Sequence, residues 1–360
     1  MSPSHAPRLA PVDDLHRFCK QVLASAGADA ATADAASGAM MHASRLGVDS
    51  HGVRLLQHYV TVLTRGRVNG RPRMKIVGEA GAVASLDADH GHGALAAETA
   101  MQHAIKIAGQ FGIGAVGIRN TSHFGPAGAY AIMAAEAGLI GIAMCNSDSF
   151  VRLHDGAERF HGTNPIACAV PVSGSRPWLL DMATSAIPYN RIHLYRSLGL
   201  KLPEGIASAA GGEDTVDPAD VEMLAPLGGA FGFKGAGLAG LVEIFCAVLT
   251  GMKLSPEIAP MGGPDLETPR SMGAFVMAIR PEAFVDAATF EDGMRRYLTA
   301  LRGSPARKDG AVLAPGDREW AEADRRAIDG IPVDPQTALE FEELAKRYSL
   351  SPPFREHGNA

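Results

Sequence analysis

Cysteine is scarce in this chain of 360 residues, which contains four of them. They stand at positions 19, 145, 168 and 246, no two have C-x-x-C spacing, and all but the first lie in strongly apolar segments. This distribution argues against a disulfide-stapled secreted scaffold. We expect the cysteines to be reduced residues of the core.

An excess of positive charge and long hydrophobic runs are also absent. The 33 lysines and arginines are outnumbered by 39 acidic residues, giving a net charge of -6 and a pI near 6.1, so a basic nucleic-acid-binding surface is not expected. No segment reaches the roughly 18 consecutive apolar residues of a membrane span, and the N-terminal sequence MSPSHAPRLAPVDD lacks a signal segment. We therefore expect a cytoplasmic protein with a small-molecule partner, no nucleic acid and no membrane.

The sequence does contain ample material for a core, because 46% of its residues are hydrophobic. At roughly 150 residues per domain, its length suggests two domains. The segment RGRVNGRPR, residues 65–73, combines four arginines with turn-forming residues. We interpret this segment as a linker between two parts of the chain.

Apolar residues recur at helical spacing near both ends of the chain and at several places between them. Two alanine-rich helices, broken at Gly27, are predicted between Val12 and His42, with Gly47 as a left-handed cap. The other predicted helices are Gly91–Phe111, Ala127–Ala137, Gly235–Leu249, Thr289–Leu301, Asp317–Ile328 and Pro335–Tyr348.

Shorter apolar runs indicate strands. Residues 74–89 have the alternation of a strand pair or of one bent strand, and the other predicted strands are Gly114–Ile118, Leu139–Cys145, Pro165–Val170, Trp178–Met182 and Gly273–Ile279. The connection PVSGSRP, residues 171–177, is too short for a crossover helix. The two strands that it joins should therefore be antiparallel.

Two glycine patterns call for interpretation. GIGAVG, residues 112–117, matches G-x-G-x-x-G but follows a helix and opens a strand, the reverse of a dinucleotide fingerprint, so we reject that function. GAGLAG, residues 235–240, opens a helix directly after Lys234. Its N–H groups and the ammonium could bind a phosphate or carboxylate, and close packing of a glycine-rich helix is an equally good interpretation.

The segment NTSHFGPAGAY, residues 120–130, joins a predicted strand to a predicted helix. Ser122 and Thr121 can cap the following helix, which leaves His123 at the end of a strand, where α/β proteins place catalytic side chains. The alternative is a capping loop with an incidental histidine. His51, in DSHGV, occupies a second turn, at the start of a predicted helix that continues through the apolar positions Tyr59 and Leu63.

Three further motifs are weaker. Asp181 ends the apolar run of LLDMATS and needs either a histidine that it orients or backbone N–H donors, unless it caps a helix after Thr184. GTNPIA, residues 162–167, could line a cofactor pocket or form a turn. His90 and His92 have H-x-H spacing without an evident third ligand, so we predict no metal site.

Taken together, these motifs resemble the malate/L-lactate dehydrogenase-like oxidoreductases, a family that includes reductases for sulfolactate, ureidoglycolate, diketogulonate and cyclic imino acids. The matching segments are DSHGV, SHFGPAG, AAEAGLIGIAMCNS, GTNPIA, LLDMATS, PLGGAFGFKGAGLA and VLAPGDRE. They occur in the family's order from about Val12 to Leu350. Each motif alone is weak, and the ordered set is highly specific.

The resemblance implies an α/β fold that binds a nicotinamide cofactor without a Rossmann domain, on a large, mostly antiparallel sheet. It implies a helical domain of residues 1–72 and 285–360 that carries part of the substrate site, and a sheet-based NAD(P)-binding domain of residues 73–284. It also implies a homodimer with active sites near the subunit contact.

The resemblance assigns residues to the site as well. His51 and His123 line the substrate pocket, one of them being the acid/base, and Asp181 completes the catalytic set. The positions that match cofactor contacts are Ser147, Thr163, Asn164, Asp181, Met182, Ala183, Lys234, Gly235, Pro315, Gly316 and Asp317. The sequence leaves the choice between NAD and NADP open.

Reduction of a 2-oxo acid places negative charge on the carbonyl oxygen, so a histidinium must donate a proton there. The neighbouring carboxylate needs an arginine, and Arg54 and Arg45, with Ser50, flank His51 closely enough to be substrate-binding candidates. Many family members carry arginine four residues after the first histidine, where this chain has Leu55. The shift by one position turns a helical side chain by about 100°.

We therefore predict an NAD(P)-dependent oxidoreductase for a small 2-hydroxy or 2-oxo acid. The alternatives are a cyclic imino acid reductase, acting on piperideine- or pyrroline-2-carboxylate, and a catalytically silent relative that binds a metabolite. Retention of both histidines, Asp181 and Lys234 favours an enzyme. The loop of residues 147–156 departs from the family's proline-glycine pattern through Arg152, His154 and Asp155, which leaves the substrate open.

Overall fold

A computed structural model describes residues 7–197 and 199–354 of the chain. Its helices are α1 Val12–Ser25, α2 Ala30–Arg45, α3 Leu56–Thr64, α4 Gly93–Phe111, α5 Gly128–Glu136, α6 Tyr189–Ser197, α7 Phe233–Glu243, α8 Ala287–Arg302, α9 Asp317–Asp329 and α10 Pro335–Tyr348. Its strands are β1 Arg8–Ala10, β2 Lys75–Ala80, β3 Val83–Asp87, β4 Ile113–Thr121, β5 Ile140–Cys145, β6 Val151–Arg152, β7 Arg159–His161, β8 Ile166–Val170, β9 Trp178–Met182, β10 Ala207–Ser208, β11 Met223–Leu224, β12 Met272–Ile279 and β13 Ile331–Val333. In this part of the chain, no helix is long and apolar enough to span a membrane.

A seven-stranded sheet in the order β2-β3-β4-β12-β5-β8-β9 organises the molecule. Among the described strands of this sheet, only β3 and β4 pair in parallel, and the other neighbours are antiparallel. The short connection after β8 does produce the predicted antiparallel pair, with Ala167 opposite Asp181. The expected large, mostly antiparallel sheet of a mixed α/β fold is confirmed.

Helices α4 and α5 pack on this sheet through small residues. Ala104 and Ala131 are fully buried there, along with many other alanines. A Cβ at Gly114 of β4 would overlap the Ala104 carbonyl oxygen, and one at Gly141 of β5 would overlap that of Ala131. Gly114 of GIGAVG therefore allows α4 to lie close to the sheet, which agrees with rejecting a phosphate-binding fingerprint.

A second core joins the two ends of the chain. Strand β1 pairs antiparallel with β13, so that Arg8 lies opposite Val333. Helices α1, α2, α3 and α10 bury their apolar faces against each other here, and the Phe18 and Phe341 ring centroids lie 5.3 Å apart. The domain boundaries inferred from the resemblance remain a prediction, because α9 also reaches the sheet core through Ala323.

Two features differ from the sequence expectations. A small sheet in the order β10-β11-β6-β7 was not predicted, because strands of two or three residues carry no readable alternation. The segment 65–73 is not a plain linker: Arg67 is 2% exposed, and its guanidinium donates to the carbonyl oxygens of Pro260 and Met261 at 3.2 and 3.3 Å. These acceptors lie far away in the sequence, so local composition could not indicate them.

Candidate active site

Two histidines from distant parts of the chain meet beside a cleft. His51 ends a 3₁₀ turn, Asp49–His51, and His123 lies in the loop between β4 and α5. Their rings are stacked, with centroids 5.8 Å apart and an interplanar angle of 16°. The structure thus brings together the two residues that the sequence singled out.

Contacts within the helical core fix His51. Arg326 of α9 binds both carboxylate oxygens of Asp49, at 2.5 and 2.9 Å, and also donates to the Ser44 carbonyl oxygen. A Cβ at Gly52 would overlap the Ser44 hydroxyl, which accepts the Val53 amide at 2.9 Å, so a side chain at position 52 would disturb this contact directly after His51. The Ser50 hydroxyl lies 2.9 Å from Nδ1 of His51 and restrains its ring.

The loop that carries His123 is held by the start of α4. The Ser122 hydroxyl accepts a hydrogen bond from the Gly93 amide at 3.0 Å and donates one to the Gly91 carbonyl oxygen at 3.1 Å. Ser122 therefore caps α4 rather than the following helix α5, whose own N-cap residue, Ala127, makes no side-chain hydrogen bond. The sequence expectation was wrong here because the capped helix precedes the loop in the chain.

The surroundings of both histidines favour the neutral imidazole. Burial lowers the pKa of His51. Burial also lowers the pKa of His123 well below its ordinary value, and the His51 imidazole and the Arg270 guanidinium lower it further. A neutral imidazole can accept a proton, so the site is prepared for base catalysis.

Asp181, at the end of β9, faces the same cleft. Its Oδ2 accepts a hydrogen bond from the Gly128 amide at 2.8 Å, at the first residue of α5. The sequence predicted either a histidine or backbone N–H groups as the partner of Asp181, and the structure shows a backbone N–H group. Asp181 is exposed to the open cleft, and the surrounding walls displace enough of its hydration to raise the pKa of the carboxyl group to about 6, against the opposing effect of the Gly128 hydrogen bond.

The cleft consists of two adjoining cavities of about 360 and 290 Å³, whose walls share Val48, Pro126 and Asp181. The predicted residues that line the first are Ser50, His51, Thr163, Asp181, Met182 and Ala183. Pro315 and Gly316 line the second. His123 lies one layer deeper, on a cavity of about 10 Å³ that it shares with Tyr59, His92 and Arg270.

Other predicted residues support the cleft from behind. Asn164 is fully buried, and its amide donates to Glu243 at 2.9 Å and accepts from the Ser147 amide at 3.3 Å. The Ser147 hydroxyl accepts from the Thr163 amide at 3.3 Å. Asp317 accepts from Arg302 and from the Ala314 amide. These side chains position the loops that form the walls.

Four predicted residues lie away from the walls. Arg45 and Arg54 are both exposed. In the turn Val53–Leu55, Val53 is the buried residue, and the Arg54 side chain lies in solvent. Lys234 is exposed on α7, with its ammonium 5.4 Å from the Phe231 ring centroid. Gly235 packs on the backbone of Leu227. The expected arginine fork is therefore not formed by these side chains within one chain.

Sequence reasoning missed the group of residues behind His123. Tyr59 was predicted only as an apolar helix position, and its hydroxyl lies 3.0 Å from Nδ1 of His123. Arg270 and Asp148 form a buried ion pair 122 positions apart in the sequence. Residues so far apart leave no local sequence pattern that would predict their pairing. Tyr59, by contrast, follows the His51 turn by eight positions, and this short spacing could have marked it as a candidate partner of the histidines.

A neutral histidine pair and a carboxyl group beside a cleft, on a mostly antiparallel sheet, are the features expected of a dehydrogenase of the kind the sequence resembles. Residues 10–342 match the family model described as malate/L-lactate dehydrogenase. The chain belongs to this family, and its expected place among the hydroxy-acid oxidoreductases is confirmed.

Individual proteins agree with this assignment. The chain is 36% identical to a malate dehydrogenase of Pyrococcus abyssi over 348 residues, which cover 94% of this chain and 95% of that protein. It is 31% identical to a ureidoglycolate dehydrogenase (NAD(+)) of Escherichia coli O157:H7, with 89% and 91% covered. The solved structure of malate dehydrogenase from Pyrococcus horikoshii OT3 superposes with a TM-score of 0.89 at 32% identity, covering 97% of each chain.

Proposed function

We propose that this protein is an NAD(P)-dependent dehydrogenase that interconverts a small 2-hydroxy acid and its 2-oxo acid. The observation that carries the proposal is the stacked pair His51 and His123, with His51 and Asp181 lining one cavity of about 360 Å³. The family membership supports the same activity.

The cleft fits a bound nicotinamide dinucleotide. Its two cavities adjoin along Val48, Pro126 and Asp181, so a long ligand can pass from one to the other. Gly316 has a φ of 94°, and a Cβ there would lie 3.0 Å from the Leu179 amide nitrogen, so this glycine lets the loop before α9 pack closely on β9 at the wall of the second cavity. When bound, the cofactor supplies the hydride acceptor or donor.

We assign Thr163, Met182, Ala183, Pro315 and Gly316 to direct contact with the cofactor, because they line the two cavities. Ser147, Asn164 and Asp317 hold those walls in place through the hydrogen bonds given above. Lys234 and Gly235 stay predictions, since the structure places the lysine on an exposed helix face.

The protein groups divide the proton chemistry between them. In the oxidative direction, a neutral histidine takes the proton from the substrate hydroxyl as the C2–H bond breaks, and the depressed pKa of His123 keeps it neutral for this task. In the reductive direction the imidazolium returns the proton to the carbonyl oxygen. Asp181 lines the same cavity as His51 and is the third group of the proposed catalytic set.

We also propose a homodimer located in the cytoplasm. Helix α7, the π-helical turn Ile244–Val248 that continues it and the residues next to them expose apolar side chains, namely Phe231, Phe233, Leu238, Leu241, Ile244, Val248 and Leu249. An apolar surface of this kind is uncommon on a monomer. A second copy of the chain is the occupant we propose. The unpaired cysteine thiols support the cytoplasmic location.

The test is a nicotinamide absorbance assay with NADH and NADPH against a panel of 2-oxo acids and cyclic imines. We expect turnover of at least one 2-oxo acid. Turnover confined to cyclic imines would replace the substrate class, and cofactor binding without any turnover would indicate a catalytically silent relative.

Two matched variants then assign the acid/base. If His123 transfers the proton, His123→Gln should lower kcat and kcat/KM together by about 10²–10⁴-fold with little change in cofactor Kd, because this interaction forms in the transition state. His51→Gln is the comparison. Near wild-type turnover of the His123 variant together with collapse of the His51 variant would give the role to His51.

A further inference from the structure

Tyr59 is the closest polar partner that the structure gives to His123. It comes from α3, is 2% exposed, and its hydroxyl oxygen lies 3.0 Å from Nδ1 of the imidazole. The His92 ring meets the Tyr59 ring edge-on, with centroids 4.3 Å apart at 89°. His92 is itself fixed, because its Nδ1 accepts the Ala94 amide at the start of α4, at 3.2 Å. Tyr59 therefore has little freedom to move.

The contact decides which ring nitrogen is available for chemistry. Nδ1 of His123 faces Tyr59 inside the protein, so Nε2 is the nitrogen left for the substrate. To take a proton, Nε2 must present a lone pair, and the hydrogen of the neutral ring then sits on Nδ1. That N–H is buried and needs an acceptor.

Tyr59 can serve as this acceptor throughout the reaction. Burial raises the pKa of its hydroxyl, so the group stays un-ionised across the working range. Its oxygen can accept from Nδ1 both in the neutral ring and after the ring has gained a proton on Nε2. Its own hydrogen can then turn toward the cavity of about 10 Å³ that Tyr59 shares with His58 and His92, a space of about one water molecule.

We propose that Tyr59 is a positioning residue that accepts the Nδ1 hydrogen of His123 and thereby selects the tautomer with a free Nε2. This assignment rests on the proposed function for its consequence in catalysis.

The charged and titratable groups around the pair all favour a neutral His123. His51 approaches from the 3₁₀ turn before α3, Arg270 from the segment before β12, His58 from α3 itself and His92 from the start of α4. Because these groups favour the neutral imidazole, the position of its single ring hydrogen, on Nδ1 or on Nε2, decides whether His123 can accept a proton through Nε2. Tyr59 controls that position.

The decisive variant is Tyr59→Phe, which keeps the ring and its packing on His92 and removes the hydroxyl. The buried Nδ1–H would lose its acceptor, so the neutral ring should change to the tautomer with hydrogen on Nε2. We expect kcat to fall by about tenfold or more, the pH limit of kcat/KM that belongs to His123 to move to lower pH, and the cofactor Kd to change little.

Tyr130→Phe is the matched control. Tyr130 is 3% exposed, and its hydroxyl donates to the Phe124 carbonyl oxygen rather than to a histidine. We expect a loss of thermal stability in this variant without a shift of the pH profile. Equal pH shifts in both variants would overturn the assignment to Tyr59, because they would trace the effect to lost packing.

A second measurement does not depend on turnover. Long-range ¹H–¹⁵N spectra of histidine-labelled protein report the tautomer, with the His123 signals identified through His123→Gln. Hydrogen on Nδ1 in the wild type and on Nε2 in Tyr59→Phe supports the proposal. Hydrogen on Nε2 in the wild type overturns it, even where Tyr59→Phe fails to fold. A wild type with hydrogen on Nδ1 but no turnover of any substrate would sink the proposed function and leave the tautomer assignment standing.

Discussion

At the scale of single residues, the Asp181 carboxyl group carries a pH signature. Its pKa is raised to about 6 in the folded protein, so between about pH 4 and 6 the folded state binds more protons than the unfolded chain. The stabilisation of the folded protein that comes from this raised pKa is therefore fully present at low pH and is lost as the pH rises through about 6. Ionisation of Asp181 costs stability, the opposite of a salt-bridged surface carboxylate.

Asp181→Asn should remove that dependence. The amide still accepts the Gly128 hydrogen bond and does not ionise, so the variant should gain stability relative to the wild type as the pH rises from about 4 to 7. Urea midpoints of both proteins across this range give the difference. If the two curves run parallel, the carboxyl group is not perturbed as described.

Residue identity alone predicted part of the site. His51 and His123 stand at helix-start turns in the sequence, and the proton chemistry of the imidazole ring makes them candidates on that ground. The arginine expectation rested on position along a helix, and Arg54 lies on a 3₁₀ turn whose buried residue is Val53. Whether a side chain of such a turn faces the core or the solvent depends on which adjacent residue is buried. That in turn depends on tertiary packing, which the local sequence does not show.

At the scale of elements, the caps of the helices are separable from the site. Asp334 precedes α10, and its carboxylate accepts from the Thr337 amide at 3.1 Å and from the Thr337 hydroxyl at 2.6 Å. Asp334→Ala should lower the free energy of unfolding by about 1 kcal/mol, because the first turn of the helix loses its acceptor.

The control on the same helix is Glu343→Ala, at an exposed position. It should change the free energy of unfolding by less than about 0.5 kcal/mol. Chemical denaturation of both variants measures the difference. Equal effects would mean that α10 draws no stability from its cap.

Long elements were predictable and their arrangement was not. Helices such as α4 and α10 and strands such as β5 and β9 followed from periodicity, since each repeats its pattern over several residues. The place of β12 between β4 and β5 depends on pairing with residues that are distant in the sequence, for instance Ala274 with Cys145. Only the family resemblance indicated the kind of sheet that results.

At the scale of the whole molecule, the apolar face of α7 predicts the assembly. Ile244 lies in that face and is 55% exposed, and Ile244→Glu would place a carboxylate in the proposed contact between two copies. We expect the wild type at twice the mass of the 37.6 kDa chain and the variant at or near the single mass. Light scattering after size-exclusion chromatography gives both values.

Ile328→Glu is the control, because Ile328 of α9 is 86% exposed and lies outside the α7 face. This variant should keep the mass of the wild type. A wild type that runs as a single chain, or loss of the larger species in both variants, would contradict a dimer through α7.

The pairing of β1 with β13 has a consequence for synthesis on the ribosome. Helices α1, α2 and α3 are synthesised before the large sheet, yet the apolar surfaces that cover them include Ile331, Val333 and Phe341, which are synthesised after it. The apolar faces of these helices therefore stay partly exposed until the whole sheet and the segments after it have been translated. Nascent chains should therefore expose these helices to chaperones for most of the time that translation takes, and a stop codon after α9 should release a product that is degraded rapidly.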